Sequence, residues 1–134
     1  MKELYKNILY SIPDKSGREK YEAISGMEDV LRCEDFPDEG KPIFAKLQEY
    51  LLTEEDEEAQ SLIFDALYEG MLNQYDDKKH IEGLQLLLNG HDSKIICKTL
   101  DVLGASINDD YNDLIKKFLR YENSEVRGAA KRNM

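Results

Sequence analysis

The chain has 134 residues, 41% of them hydrophobic and 34% charged, with a formal net charge of −10. That length supports a single domain with its own core, and the composition is that of a folded chain rather than a disordered one. No apolar run approaches the ~18 residues needed to cross a bilayer, and the excess of carboxylates disfavours a nucleic-acid partner.

Helical periodicity runs through the sequence, and no segment reads as a strand. Leu4, Tyr5, Ile8 and Leu9 form a short amphipathic stripe over residues 2–10, which Pro13 stops by removing a backbone donor. Residues 15–33 place Tyr21, Ile24, Met27, Val30 and Leu31 on one face. The clearest break runs from Glu34 to Gly40; Pro42 then fits a first helical turn, ahead of Ile43, Phe44, Leu47, Leu51 and Leu52.

Thr53 reads as the cap of a helix from about Glu54 to Gln74, with Ala59, Leu62, Ile63, Ala66 and Leu67 inward. Residues 78–89 predict another, carrying Ile81, Leu84, Leu87 and Leu88. Asp92 or Ser93 caps the next, with Ile95, Ile96, Leu100 and Leu103 as its core face and Gly104 as its end. Asp109 or Asp110 starts a helix with Tyr111, Leu114, Ile115, Phe118 and Leu119, and Asn123 begins the last, from Ser124 to about Arg132. Short loops leave no linker that would divide the chain.

A unit recurs within this pattern. Leu52, Leu88 and Leu119 each precede a polar break, at Asp56, Asp92 and Asn123, and an apolar residue follows at Ala59, Ile95 and Val126. The spacings are 36 and 31 residues, a period typical of helical repeats whose pairs bury their faces on one another. The expected architecture is all-α, about eight helices in antiparallel pairs.

Asn123-Ser124-Glu125-Val126-Arg127-Gly128-Ala129-Ala130 resembles the HEAT-like repeat, with a polar cap, a Val-Arg pair and small residues at helical spacing. Asp92-Ser93-Lys94-Ile95-Ile96 looks like a degenerate copy, with Ile96 where the arginine would stand, and Asp56-Glu57-Glu58-Ala59-Gln60 a weaker one. The resemblance covers residues 41–134 and implies a HEAT-like α-solenoid there. Residues 1–40 lack the signature and are expected to act as N-terminal capping helices of the same single domain.

Charge is unevenly spread. Residues 28–69 hold fourteen carboxylates against Arg32, Lys41 and Lys46, a local net charge of −11. The sharpest feature is Thr53-Glu54-Glu55-Asp56-Glu57-Glu58. One or two acids in a first turn satisfy the helix dipole at ~0.3–1 kcal/mol each. Five in succession repel one another, which points to a docking surface for a basic protein.

If the loop with Asp35, Asp38 and Glu39 lies beside this turn, it reinforces the field. The expected partner-binding set is therefore Asp35, Asp38, Glu39, Glu49, Glu54, Glu55, Glu57 and Glu58, with Tyr50 as an anchor. Tyr21, Tyr68 and Tyr111 fall on apolar stripes and are expected in the core. Tyr50 and Tyr75 sit near helix ends beside acids, where a half-buried ring with a wet hydroxyl is the simpler reading.

Other chemistry is poorly represented. His80 and His91 have no companions at zinc-ligand spacing, and there is no Gly-rich phosphate loop or nucleophile elbow. No enzyme activity, cofactor or metal is expected. Cys97 is expected as a buried free thiol, and with the charged start of the chain this suggests a cytoplasmic protein. Lys78-Lys79 and Lys116-Lys117 read as solvated faces.

Small acidic helical-repeat proteins of this type occur among the immunity proteins of bacterial contact-dependent inhibition and related polymorphic toxin systems. That likeness of type implies a chain, monomeric before binding, that neutralises a toxin domain such as a nuclease by filling its basic cleft. Two other readings stay open: a general HEAT-like adaptor, and a nucleic-acid protein using Lys116, Lys117, Arg120, Arg127, Lys131 and Arg132.

Overall fold

The computed structural model describes residues 1–77 and 81–134. Among these are eight α-helices and no strand: α1 (Glu3–Ser11), α2 (Gly17–Leu31), α3 (Pro37–Thr53), α4 (Glu57–Leu72), α5 (Glu82–Leu88), α6 (Ser93–Gly104), α7 (Asn112–Lys116) and α8 (Ser124–Arg132). A 3-10 turn, Ile12–Asp14, follows α1 and contains the Pro13 stop. Lys78, Lys79 and His80 lie outside the described residues, as does the start of the helix predicted over 78–89.

Helices α2, α4, α6 and α8 pack side by side in chain order, each on the next, while α1, α3 and α5 form a second row against them. Contacts between specific residues give the first row its direction. Lys20 and Glu54 pair near the starts of α2 and α4, and the Asn73 amide reaches the Leu31 carbonyl at their ends. Glu57, Glu58, Asp92 and Lys94 border one pocket at the starts of α4 and α6, Lys98 Nζ approaches Ser61 Oγ further along, and Arg132 meets Asp101 near the ends of α6 and α8. The four helices therefore run parallel, with all four N-termini at one edge. The core lies between the rows and includes Ile24, Met27, Leu31, Ile43, Phe44, Leu47, Ile63, Leu67, Met71, Leu84, Ile96 and Leu100.

Close packing between the rows depends on Gly70. A Cβ there would stand 2.7 Å from the Phe44 ring, which is itself buried. Gly40 likewise lies flat against the face of Tyr75.

The starts of α4 and α3 differ from the expected ones. Asp56, not Thr53, caps α4, its carboxylate accepting the Ala59 N–H at 3.4 Å. Thr53 ends α3, because the ion pair of Glu54 with Lys20 holds residue 54 in an extended conformation that breaks the helix. Helix α3 begins at Pro37 rather than at Pro42, absorbing Asp38, Glu39 and Gly40 from the expected break. Pro37 occupies the favoured first position, and Pro42 deprives only the Asp38 carbonyl of its helical partner.

Helix α7 is short: Asp109 adopts a left-handed φ of 52°, Tyr111 enters the helix with no side-chain cap, and turns replace the helix after Lys116. The caps at Asp92 and Asn123 form as expected, each side chain accepting two backbone N–H groups. Helix α6 ends at Gly104, as the sequence indicates.

Candidate functional site

The acidic run sits at the edge formed by the parallel N-termini, and its members are not equivalent. Lys20 Nζ donates to both oxygens of Glu54, at 2.7 and 3.1 Å, and these side chains are only 13% and 11% exposed. Asp56 is occupied by capping, and it also holds the Tyr21 hydroxyl, whose pKa is raised first by that hydrogen bond. Glu55, Glu57 and Glu58 are exposed, and no cation pairs with them among the described residues. The N-terminal dipole of α4 supplies about half a positive charge, so three free carboxylates leave a negative edge.

From this edge a groove runs between α4 and α6. Its mouth, ≈ 290 Å³, is bordered by Glu57, Glu58 and Asp92 with Lys94 opposite. Beyond Ser61 and Lys98 it widens into a cleft of ≈ 500 Å³ that reaches the end of α8. Lys98 lies with its amine 5.8 Å from the Phe64 ring centre. Arg132 and Asn133 both donate to Asp101, at 2.9 and 2.6 Å. Asp65 and Tyr68 form the α4 wall, with Tyr68 43% exposed.

Next to that wall, α2 and α4 share a second group of acids. Arg32 stands among Glu28, Asp29 and Glu69, with nitrogen–oxygen separations of 3.6 Å to Asp29 and 3.7 Å to Glu69 and a closer pairing with Glu28. Burial raises the Glu28 pKa, the attraction of Arg32 opposes it, and repulsion from Asp65, Glu69 and Asp29 adds to it. A carboxyl with a raised folded pKa carries no penalty below the unfolded pKa and its full penalty above the raised value. Glu28→Gln is therefore expected to raise Tm at about pH 8 and to leave it unchanged at about pH 3, in thermal melts followed by circular dichroism. A lower Tm at the higher pH would mean that the Arg32 attraction outweighs burial.

The other expected site residues are scattered. Asp35 and Asp38 are exposed, but they follow the end of α2, whereas Glu54 meets its start. Fifteen helical residues, ~22 Å at 1.5 Å each, separate the two ends of that helix. The loop does not reinforce the acidic run. Glu39 is buried and accepts the Lys2 backbone N–H at 2.9 Å, so it does not share the exposed surface expected of it. Glu49 is exposed and bonded to Lys46 at 2.9 Å.

Tyr50 is not an exposed anchor. Its hydroxyl donates to the Leu9 carbonyl at 2.9 Å, Lys46 lies over its ring, and burial raises its pKa. Tyr75 is buried and donates to the Cys33 carbonyl, because its ring covers Gly40. Tyr111 is in the core as expected, its hydroxyl on Asp76. Tyr21 is half-buried, and Tyr68 faces outward because Ile63, Phe64, Ala66 and Leu67 take the core-facing side of α4. Sequence reading counted Asp65 among the acids without singling it out and expected Tyr68 in the core; their i, i+3 spacing on the side of α4 away from Ile63 and Leu67 was the available signal.

Arg127 turns back to the carbonyls of Tyr121 and Glu122, and Arg132 is held by Asp101. Among the described residues, Lys116, Lys117, Arg120 and Lys131 are the exposed cations of the basic tail that no carboxylate pairs. Cys97 is a free thiol, half-buried rather than buried, and burial raises its pKa. Among the described residues no group of three or more His, Cys, Asp or Glu side chains is placed to hold a metal ion, and no helix is long and apolar enough to cross a membrane.

No protein-family model and no curated protein matches the chain. Among solved structures, it is similar to a crystal structure of an engineered protein from the Northeast Structural Genomics Consortium, with a TM-score of 0.60 at 20% identity. The match covers 99% of this chain and 61% of the engineered one, so the chain spans less than two thirds of that protein. The likeness is one of fold.

Proposed function

We propose that this chain is a HEAT-like α-solenoid that binds a basic protein through the edge carrying Glu55, Glu57 and Glu58, and that it serves as an immunity protein against a toxin domain. The two rows of stacked helices and the shared direction of α2, α4, α6 and α8 support the solenoid reading. The observation that carries the binding reading is the set of three exposed carboxylates that no cation among the described residues pairs, where one or two acids would satisfy the helix end. Such an edge speeds encounter with a basic cleft and competes with phosphate for it. The toxin-directed role rests on the likeness of type to small acidic immunity proteins.

The test is co-expression in a neutral host with the C-terminal domain encoded by the gene immediately upstream. Toxicity rescued by this chain, and lost again when Glu55, Glu57 and Glu58 are replaced by lysine, is the expected result. A harmless neighbour, or death without rescue, would overturn the immunity role and leave an adaptor for a different basic partner, to be sought by affinity capture.

A further inference from the structure

The groove between α4 and α6 begins at the acidic edge and ends at a wall with an uncommon combination of groups. Asp65 has no cationic partner among the described residues, and three positions along the same helix the Tyr68 ring is 43% exposed. Both border the ≈ 500 Å³ cleft, a volume within the range of built ligand sites. Both cations of the cleft have partners within its lining: Arg132 is bound to Asp101, and Lys98, which keeps its charge, leans back onto the Phe64 ring and the Ser61 hydroxyl. Across α4, the three carboxylates of Glu28, Asp29 and Glu69 outnumber the single Arg32 among them, and the charges of Asp65, Glu69 and Asp29 all push the Glu28 pKa upward. An open aromatic face beside an unpaired carboxylate, backed by further carboxylates, complements a planar cation.

We infer that the α4 wall of this cleft, Asp65 and Tyr68, receives an arginine side chain of the basic partner. The inference rests on the basic-partner reading above and adds to it a residue-specific anchor. The guanidinium stacks on Tyr68 and donates in the plane to Asp65, while the flanking segment of the partner follows the groove back to Glu57 and Glu58. A lysine ammonium is a point charge that lacks the flat face and the paired donors, so arginine is preferred at equal charge. The carboxylates of the edge also accept paired donors but offer no aromatic face, so the anchor's share of the preference is the part that Tyr68→Ala and Asp65→Asn remove.

Hexa-arginine and hexalysine peptides, equal in charge, separate the two claims when titrated into the full chain by calorimetry at moderate salt. The expected result is tighter binding of hexa-arginine by roughly fivefold, with the preference removed by Tyr68→Ala and by Asp65→Asn. Reversing Glu57 and Glu58 to lysine should weaken both peptides together and leave their ratio intact. Amide shifts in a heteronuclear spectrum should move at Ser61, Asp65 and Tyr68 with hexa-arginine, which also reports that the variants are folded. Equal affinity for the two peptides, or a preference that survives both cleft variants, overturns the anchor while leaving the acidic edge standing. Failure of both peptides to bind overturns the edge and the anchor together.

Discussion

Replacement of Glu55, Glu57 and Glu58 by lysine is expected to weaken binding of the basic partner by roughly a hundredfold while the helical spectrum persists. Each position changes an attraction into a repulsion in a solvated setting, worth ~1 kcal/mol, and ~1.4 kcal/mol is tenfold in affinity. The three sites together therefore supply about two decades, most of it at low salt. The fold tolerates the change because these side chains are exposed and bonded to no cation among the described residues. Glu57 and Glu58 do favour the α4 dipole, so Tm should fall by up to about 8 °C. The measurement is calorimetric titration of the partner at two salt concentrations beside a thermal melt. Unchanged affinity in a folded variant would remove the edge from the binding surface.

Glu54→Lys is expected to behave in the opposite way, costing about 3–5 kcal/mol of stability. Glu54 and Lys20 are largely buried and doubly hydrogen-bonded, so the substitution sets two ammonium groups against each other away from water. The reciprocal exchange, Glu54→Lys with Lys20→Glu, should recover most of the loss by restoring one charge of each sign. Urea unfolding of the two single variants and the exchange measures the coupling directly. A single-variant cost below about 1 kcal/mol would mean that water screens the pair, and that Glu54 belongs with its exposed neighbours after all. Neighbours in sequence are thus expected to differ in kind, one supporting the fold and three facing the partner.

Much of the helical pattern was legible in the residues. Ile24, Met27, Leu31, Ile63 and Leu67 are buried on the faces their spacing predicts, because a 3.6-residue period needs only local chemistry to be read. The Asp92 and Asn123 caps were legible for the same reason: a short carboxylate or amide reaches backbone N–H groups two and three residues ahead. Local rules failed where a distant contact competes. Thr53 loses the cap because Lys20, thirty-four residues away along the chain from Glu54, pins residue 54 in an extended conformation. Tyr75, in the loop after α4, packs inward against Gly40 of α3, a contact that no window of sequence around residue 75 contains.

The sequence by itself determined the all-helical class, the positions of most helices and the excess of negative charge between residues 28 and 69. Only the tertiary structure decided which of those charges remain free. The parallel course of α2 and α4 sends Asp35 and Asp38 to one end and Glu54 to Glu58 to the other and neutralises Glu54 with Lys20; the start of α1 occupies Glu39, and the packing of α6 on α4 leaves Asp65 and Tyr68 facing a cleft. Helix formation is settled by neighbours within a few residues, whereas the field and the accessibility of a charge depend on which distant segments come to lie within a few ångströms of it.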